Sequence, residues 1–213
     1  MLVVTAALLW TGGAPWAQSP SVPAGTYTLD AERSRLTIHL ERAGAFAVLA
    51  HRHVLAADGM GGRITIPESG LQETIAQFSL PVASILVDPP QARTEAGLEP
   101  LDEDDRADIR ETMLGTDQLN AAAFPRIVAT VERVEGTPPN LSVVLNLRVR
   151  DVSHRVTVPM EIAVDSDTVR ASGQFTVRHA DFGLEPYRAL LGGIAVADEI
   201  TVRFDLVAAR AQP

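Results

Sequence analysis

LSVVLNLRVRDVSHRVTVPMEIAV, residues 141–164, decides the fold. Leu141, Val143, Leu145, Leu147 and Val149 recur at every second position, mostly between polar residues, and Val156, Val158, Met160, Ile162 and Val164 do the same after a gap. Period two with one apolar face marks a half-buried strand. The short polar link DVSH (151–154) predicts a hairpin with His154 in its turn.

The pattern extends in both directions. TVRASGQFTVR (168–178) follows a DSD turn and continues the meander, and EITVRFDLVA (199–208) alternates through Ile200, Val202, Phe204 and Leu206. Upstream, RLTIHLE (35–41) sets Leu36, Ile38 and Leu40 opposite His39, which reads as a surface histidine. Weaker strands are expected at 63–67, 74–82, 84–88 and 126–134. PLDEDDRADIRETMLG (100–115) changes period: acidic residues crowd its start and Gly115 ends it, the marks of a helix. A second short helix is expected over 116–124. The acidic run 102–105 lacks the glycine and spaced ligands of a calcium loop and reads as a solvated first turn. Together these elements predict an all-β domain of about eight antiparallel strands with a short helical insertion. Such a sheet must fold over itself, and runs of eight to ten residues favour a deep barrel.

Composition narrows the function. The net charge is −9 and the chain holds no lysine, so the clustered positive charge that nucleic acid requires is missing. With no cysteine, disulfides, thiol nucleophiles and cysteine metal sites are excluded. MLVVTAALLW (1–10) is too short to span a bilayer and is followed by small residues, so residues 1–17 read as a signal peptide and 18–25 as a linker. No Arg or Lys precedes the apolar run, and a buried N-terminal element is the competing reading. The expected location is the periplasm or outside the cell, with no integral membrane segment after cleavage.

The chemistry-bearing residues are few. No G-x-S-x-G elbow, phosphate loop or H-E-x-x-H occurs, so no enzyme activity is expected. GMGG (59–62) leads into no helical pattern and reads as a turn or bulge. VLAHRHVLAADG (48–59) places His51 and His53 on one side of an extended strand. Three uses stay open for the pair: polar contacts at a ligand headgroup, structural hydrogen bonds, or a metal or haem site. The last needs a third ligand, for which His179, Asp181, Glu185 and His39 qualify by type alone. A phosphate or carboxylate headgroup would favour a forked guanidinium, and Arg52, Arg106, Arg110 and Arg178 lie near irregular segments. DFGLEPYRALLGG (181–193) reads as a loop over a barrel mouth, with Tyr187, Leu190 and Leu191 apolar enough to cover it; an ordinary loop or a homodimer contact are its other readings. Val143, Leu145, Leu147, Val158, Met160, Phe175, Val177, Val202 and Phe204 form the core-or-lining set.

Several of these stretches, in their order and spacing, resemble the YceI-like family. YTLDAERSRLTIHL (27–40) is similar to its first strand, LNAAAFPRIVATV (119–131) to its helix–proline–strand passage, and LNLRVRDVSHRVTVPM (145–160) to its hairpin. FTVRHADFGLEP (175–186) and IAVADEITVRFDL (194–206) resemble its closing segments, so the resemblance spans residues 26–208. Two departures stand out: IRETML (109–114) lacks the family's histidine, and Asp151 replaces a glycine of the hairpin. AHRH (50–53) resembles a subset carrying His-x-His. The resemblance implies a lipocalin-like barrel, exported, binding a polyisoprenoid or fatty-acid derivative without a cofactor. His51, His53, Tyr187 and the lining set are then the expected contacts, with a metal or haem protein using His51 and His53 as the alternative.

Overall fold

The computed structural model describes residues 22–165 and 167–211; the expected signal peptide lies outside them. The strands are β1 (Gly25–Leu29), β2 (Arg35–Ala43), β3 (His53–Ala56), β4 (Gly61–Ile66), β5 (Ile75–Pro81) and β6 (Leu86–Val87). Two helices follow, α1 (Pro90–Glu95) and α2 (Glu103–Leu114). The remaining strands are β7 (Arg126–Thr137), β8 (Asn140–Val149), β9 (Val152–Asp165), β10 (Thr168–Arg178), β11 (Arg188–Ala189) and β12 (Ile194–Arg210).

All pairings are antiparallel, and pairing of β1 with β12 closes the sheet. Three staves of the barrel are broken in the middle. β1 and β2 lie end to end along one edge of β12, from Tyr27 opposite Arg210 to Ala43 opposite Ala195. On their other edge β1 pairs with β4 and β2 with β3. β5 and β6 then pair with β4 and β3 respectively. Counting each broken stave once, the barrel has eight strands in which each follows its neighbour. Closure gives each main stave a paired neighbour on both sides over at least part of its length.

The hairpin that decided the fold forms in the expected register, with Val143 opposite Val158 and Leu145 opposite Val156. Its turn is tighter than expected. Residues 150–151 make it, and His154 lies inside β9 opposite Leu147. The left-handed backbone falls on Arg150 (φ 56°), not on Asp151, which replaces the family's glycine. A non-glycine residue there costs about 1 kcal/mol. Arg150 offsets this by donating to the Gln118 carbonyl at 3.2 Å and stacking its guanidinium 5.5 Å from the Phe124 ring centre.

α2 starts as its acidic run predicts. Asp102 is the N-cap, and its side chain accepts the Asp105 N–H at 2.8 Å. Asp102→Ala should lower stability by about 1 kcal/mol, read as a shift of the denaturant midpoint. The expected helix over 116–124 is absent; the segment is a series of turns anchored by the Asn120 and Ala121 N–H groups on the Gly115 and Leu114 carbonyls. The strand expected at 84–88 shrinks to β6, because the backbone of Val82–Ser84 makes a 3-10 turn. The sequence reading missed α1, whose first residue is a proline.

Buried apolar side chains form four clusters around the barrel wall. Inward-facing Leu36, Ile38, Leu40, Phe78, Leu145, Leu147 and Phe175 are only half-buried, because they face a space instead of one another. Gly173 occupies an inward position of β10, where a Cβ would lie 2.6 Å from the Pro159 carbonyl oxygen of β9 and 2.9 Å from Phe204 Cζ, so a side chain there would have no room.

Candidate functional site: an apolar lumen with a histidine-bearing mouth

That space is a cavity of about 530 Å³ running through the barrel, within the range of ligand pockets. Its wall is almost wholly apolar because every stave turns its apolar period inward. The end near residue 22 is closed by Val22 and Leu71 over the cluster of Val134, Leu141 and Ile162. Tyr27 anchors this end: its hydroxyl donates to the Pro23 carbonyl at 2.8 Å, and the Arg210 guanidinium stacks 5.2 Å from its ring centre. α2 lies at the opposite end and turns Ile109 and Met113 onto the core cluster of Leu55, Leu80 and Ile85. Most of the polar lining gathers at this end, where the wall includes His53, Gln118, His179 and Tyr187.

Beside the mouth a loop pair exposes apolar side chains. The Phe46 N–H bonds the Gly193 carbonyl at 2.7 Å, holding 44–50 against 190–193. Phe46, Val48, Leu49, Leu190 and Leu191 are all exposed, and Tyr187 is both half-exposed and part of the lining.

The expected lining residues come together. Val143, Leu145 and Leu147 of β8 and Val158 and Met160 of β9 line the cavity, as do Phe175 and Val177 of β10. Val202 and Phe204 of β12 join them.

The two histidines of 51–53 part company, correcting the expected shared strand face. Residues 47–49 form a 3-10 turn and β3 begins only at His53, so His51 lies outside the strand, exposed and away from the lining. His53 reaches the lumen and is held from behind. Its Nδ1 is 2.7 Å from Asp88 Oδ2. Asp88 is fully buried and also accepts the Val54 N–H at 2.9 Å and Arg93 Nη1 at 2.7 Å. Arg93, itself buried, donates further to the Arg52 carbonyl at 3.0 Å and to the Glu99 carbonyl. Burial raises the Asp88 pKa, but hydrogen bonds from His53, Val54 and Arg93 outweigh it and hold the carboxyl below its ordinary value.

Sequence reading missed Asp88 and Arg93. Asp88 is 35 residues from His53, so nothing local joins them. The one local signal was an acidic residue directly between an apolar run and Pro89–Pro90. Its backbone there is left-handed (φ 47°), a conformation Asp tolerates.

The other expected ligands scatter. His39 sits on the outer face of β2, with Nε2 2.9 Å from Thr37 Oγ1, and burial followed by Arg203 lowers its pKa. Glu185 is exposed and outside the lining, and His154, which is not among the candidates, stacks edge-on against Phe182, 5.9 Å between ring centres. Asp181 Oδ2 accepts the Arg178 N–H at 2.7 Å. Only His179 joins His53 in the lining, and no three His, Asp or Glu side chains among the described residues converge on a metal position. None of Arg52, Arg106, Arg110 and Arg178 reaches the lumen. Arg52 faces Glu41 at 4.0 Å, and Arg110 donates to the Ala83 carbonyl at 2.7 Å.

A closed eight-stranded meander with an apolar lumen open toward polar groups at one end defines a barrel of the lipocalin-like class. The model of the YceI-like domain matches residues 27–208, and the chain belongs to that family. Among solved structures it is similar to BcnA of Burkholderia cenocepacia, at 18% identity and TM-score 0.64, covering 85% of this chain and 99% of that one. It is also similar to the YceI protein of Campylobacter jejuni, at 12% identity and TM-score 0.54, covering 74% and 85% of the two chains. No curated protein matches the chain.

Proposed function

We propose that the protein is an exported carrier that sequesters a long-chain amphiphile, such as a polyisoprenoid or fatty-acid derivative, in the barrel lumen. The cavity carries this reading: an apolar wall left half-exposed in the folded protein is surface that a lipid tail would remove from water. Each methylene buried there contributes about 0.8 kcal/mol, so a tail of about twelve carbons gains on the order of 10 kcal/mol before ordering costs. The apolar start of the sequence supports export, and no helix among the described residues is long and apolar enough to cross a membrane.

A binding role fits better than catalysis. His53 and Asp88 have the form of a base and its orienting acid, but no hydroxyl among the described residues hydrogen-bonds to His53 Nε2. Displacement of bound N-phenyl-naphthylamine tests the reading. Farnesol and a long-chain fatty alcohol should each displace the probe at micromolar concentration. Failure of both, in a protein that also yields no lipid on solvent extraction, ends it.

A further inference from the structure

The loops beside the mouth form a surface of their own. Segment 44–50 is clasped to 190–193: the Phe46 N–H donates to the Gly193 carbonyl at 2.7 Å, and the Gly193 N–H to the Leu190 carbonyl at 3.0 Å. The approach is backbone to backbone. A Cβ on Gly44 would lie 2.5 Å from the Gly193 carbonyl oxygen, and one on Gly193 would lie 2.6 Å from Phe46 Cδ2. Leu190 and Leu191 are both left-handed, at φ 49° and 55°, a conformation leucine disfavours. The loop is therefore fixed, and it is fixed with its apolar side chains turned out. Leu191 is fully exposed, and Val48, Leu49 and Leu190 are 77%, 69% and 68% exposed. Phe46 and Tyr187 add half-exposed rings, and Tyr187 also lines the lumen, so the patch runs into the cavity wall. Clustered apolar exposure of this kind marks an interaction site.

Charge selects the partner. In a chain of net charge −9, residues 42–53 and 186–197 contain no Asp or Glu, yet they hold Arg42, Arg52 and Arg188, all exposed. Acidic residues begin just outside these segments, at Glu41, Glu185 and Asp198. Arg52 faces Glu41 at 4.0 Å, whereas Arg42 and Arg188 have no carboxylate within ion-pair distance among the described residues. A second copy seated on the patch about a two-fold axis would set arginine against arginine. Apolar tips ringed by guanidinium groups suit the boundary of an anionic bilayer, where the tips enter the acyl region and the arginines stay at the headgroups.

We propose that the loops 44–50 and 187–193 dock on an anionic lipid surface, with Leu49, Leu190 and Leu191 inserted and Arg42 and Arg188 held among the headgroup phosphates. The proposal stands on the outer surface of the loops and goes beyond the lumen-binding reading: it holds whatever the lumen carries, and a lumen that binds lipid does not require it.

Because the chain has no cysteine, a single engineered thiol can carry a nitrobenzoxadiazole fluorophore. Leu191→Cys places it on the patch, and Glu68→Cys, exposed and near Leu71 of the closed end, serves as the reference. The apolar N-terminal run is common to both proteins, so the contrast between them reports the loops. On vesicles of phosphatidylcholine and phosphatidylglycerol in about a two-to-one ratio, emission from residue 191 should rise about threefold and shift to the blue, with residue 68 unchanged. Vesicles of phosphatidylcholine alone should bind about tenfold more weakly, and Arg188→Gln should weaken binding to the mixed vesicles about fivefold. Leu49→Asp in the Leu191→Cys chain should weaken it about tenfold; Leu49 is exposed, so the fold is retained. A signal at residue 191 that needs no vesicles and grows with protein concentration overturns lipid docking and assigns the patch to a second copy. No change at residue 191, or equal changes at 191 and 68, also overturns it. None of these results bears on displacement of a probe from the lumen, so the two readings fail separately.

Discussion

Ala129→Phe is expected to abolish ligand binding while leaving the barrel folded. Ala129 sits on β7 between Phe78 of β5 and Leu147 of β8, and its side chain faces the lumen. A phenyl ring there occupies the space of about five tail carbons. At about 0.8 kcal/mol each, the loss is about 4 kcal/mol, roughly a thousandfold in affinity. Filling an empty apolar space does not strain the wall, so the melting temperature should hold or rise. A barrel packed solid would respond the opposite way, because overpacking costs about 1–3 kcal/mol. Isothermal titration and thermal melts of one preparation read both signs. Ala171→Phe on β10, also in the lining, should behave alike.

Asp88→Ala is expected to be the most destabilising single change near the mouth. It leaves the buried Arg93 guanidinium without its carboxylate and the Val54 N–H without a side-chain acceptor. Removing one partner of a buried pair costs about 3–5 kcal/mol. Asp88→Asn, which tolerates the left-handed backbone, should cost less than Ala. The pH dependence has a definite sign. The native carboxyl titrates below its ordinary value, so its stabilisation is full above the unfolded value, about 3.9, and is lost as pH falls through the lower native value. Denaturation midpoints of wild type and Asp88→Ala in urea should therefore stay apart above about pH 4.5 and converge in stronger acid. A gap that ignores pH would remove the ion pair from its place in the fold.

What could be read from sequence followed the range of the interactions. Strand alternation is local, and 141–164 displayed both the hairpin and its inward face. The closing pair, β1 on β12, joins residues 27 and 210, and the broken staves depend on which segments meet side by side. Alternation in 48–55 suggested one continuous strand, but the backbone turns at 47–49 so that Phe46 can reach Gly193, and His51 is left outside. Asp88 and Arg93 became legible only when β6 and α1 were set beside β3.

The central claim is that the lumen holds a lipid tail. Native mass spectrometry of the protein purified from its own host tests it most directly, and gives subunit number in the same spectrum. Wild type should carry an added mass of one long-chain amphiphile that is released by collisional activation, and Ala129→Phe should not carry it. A wild-type spectrum at the bare polypeptide mass, or the same added mass on Ala129→Phe, would contradict the claim.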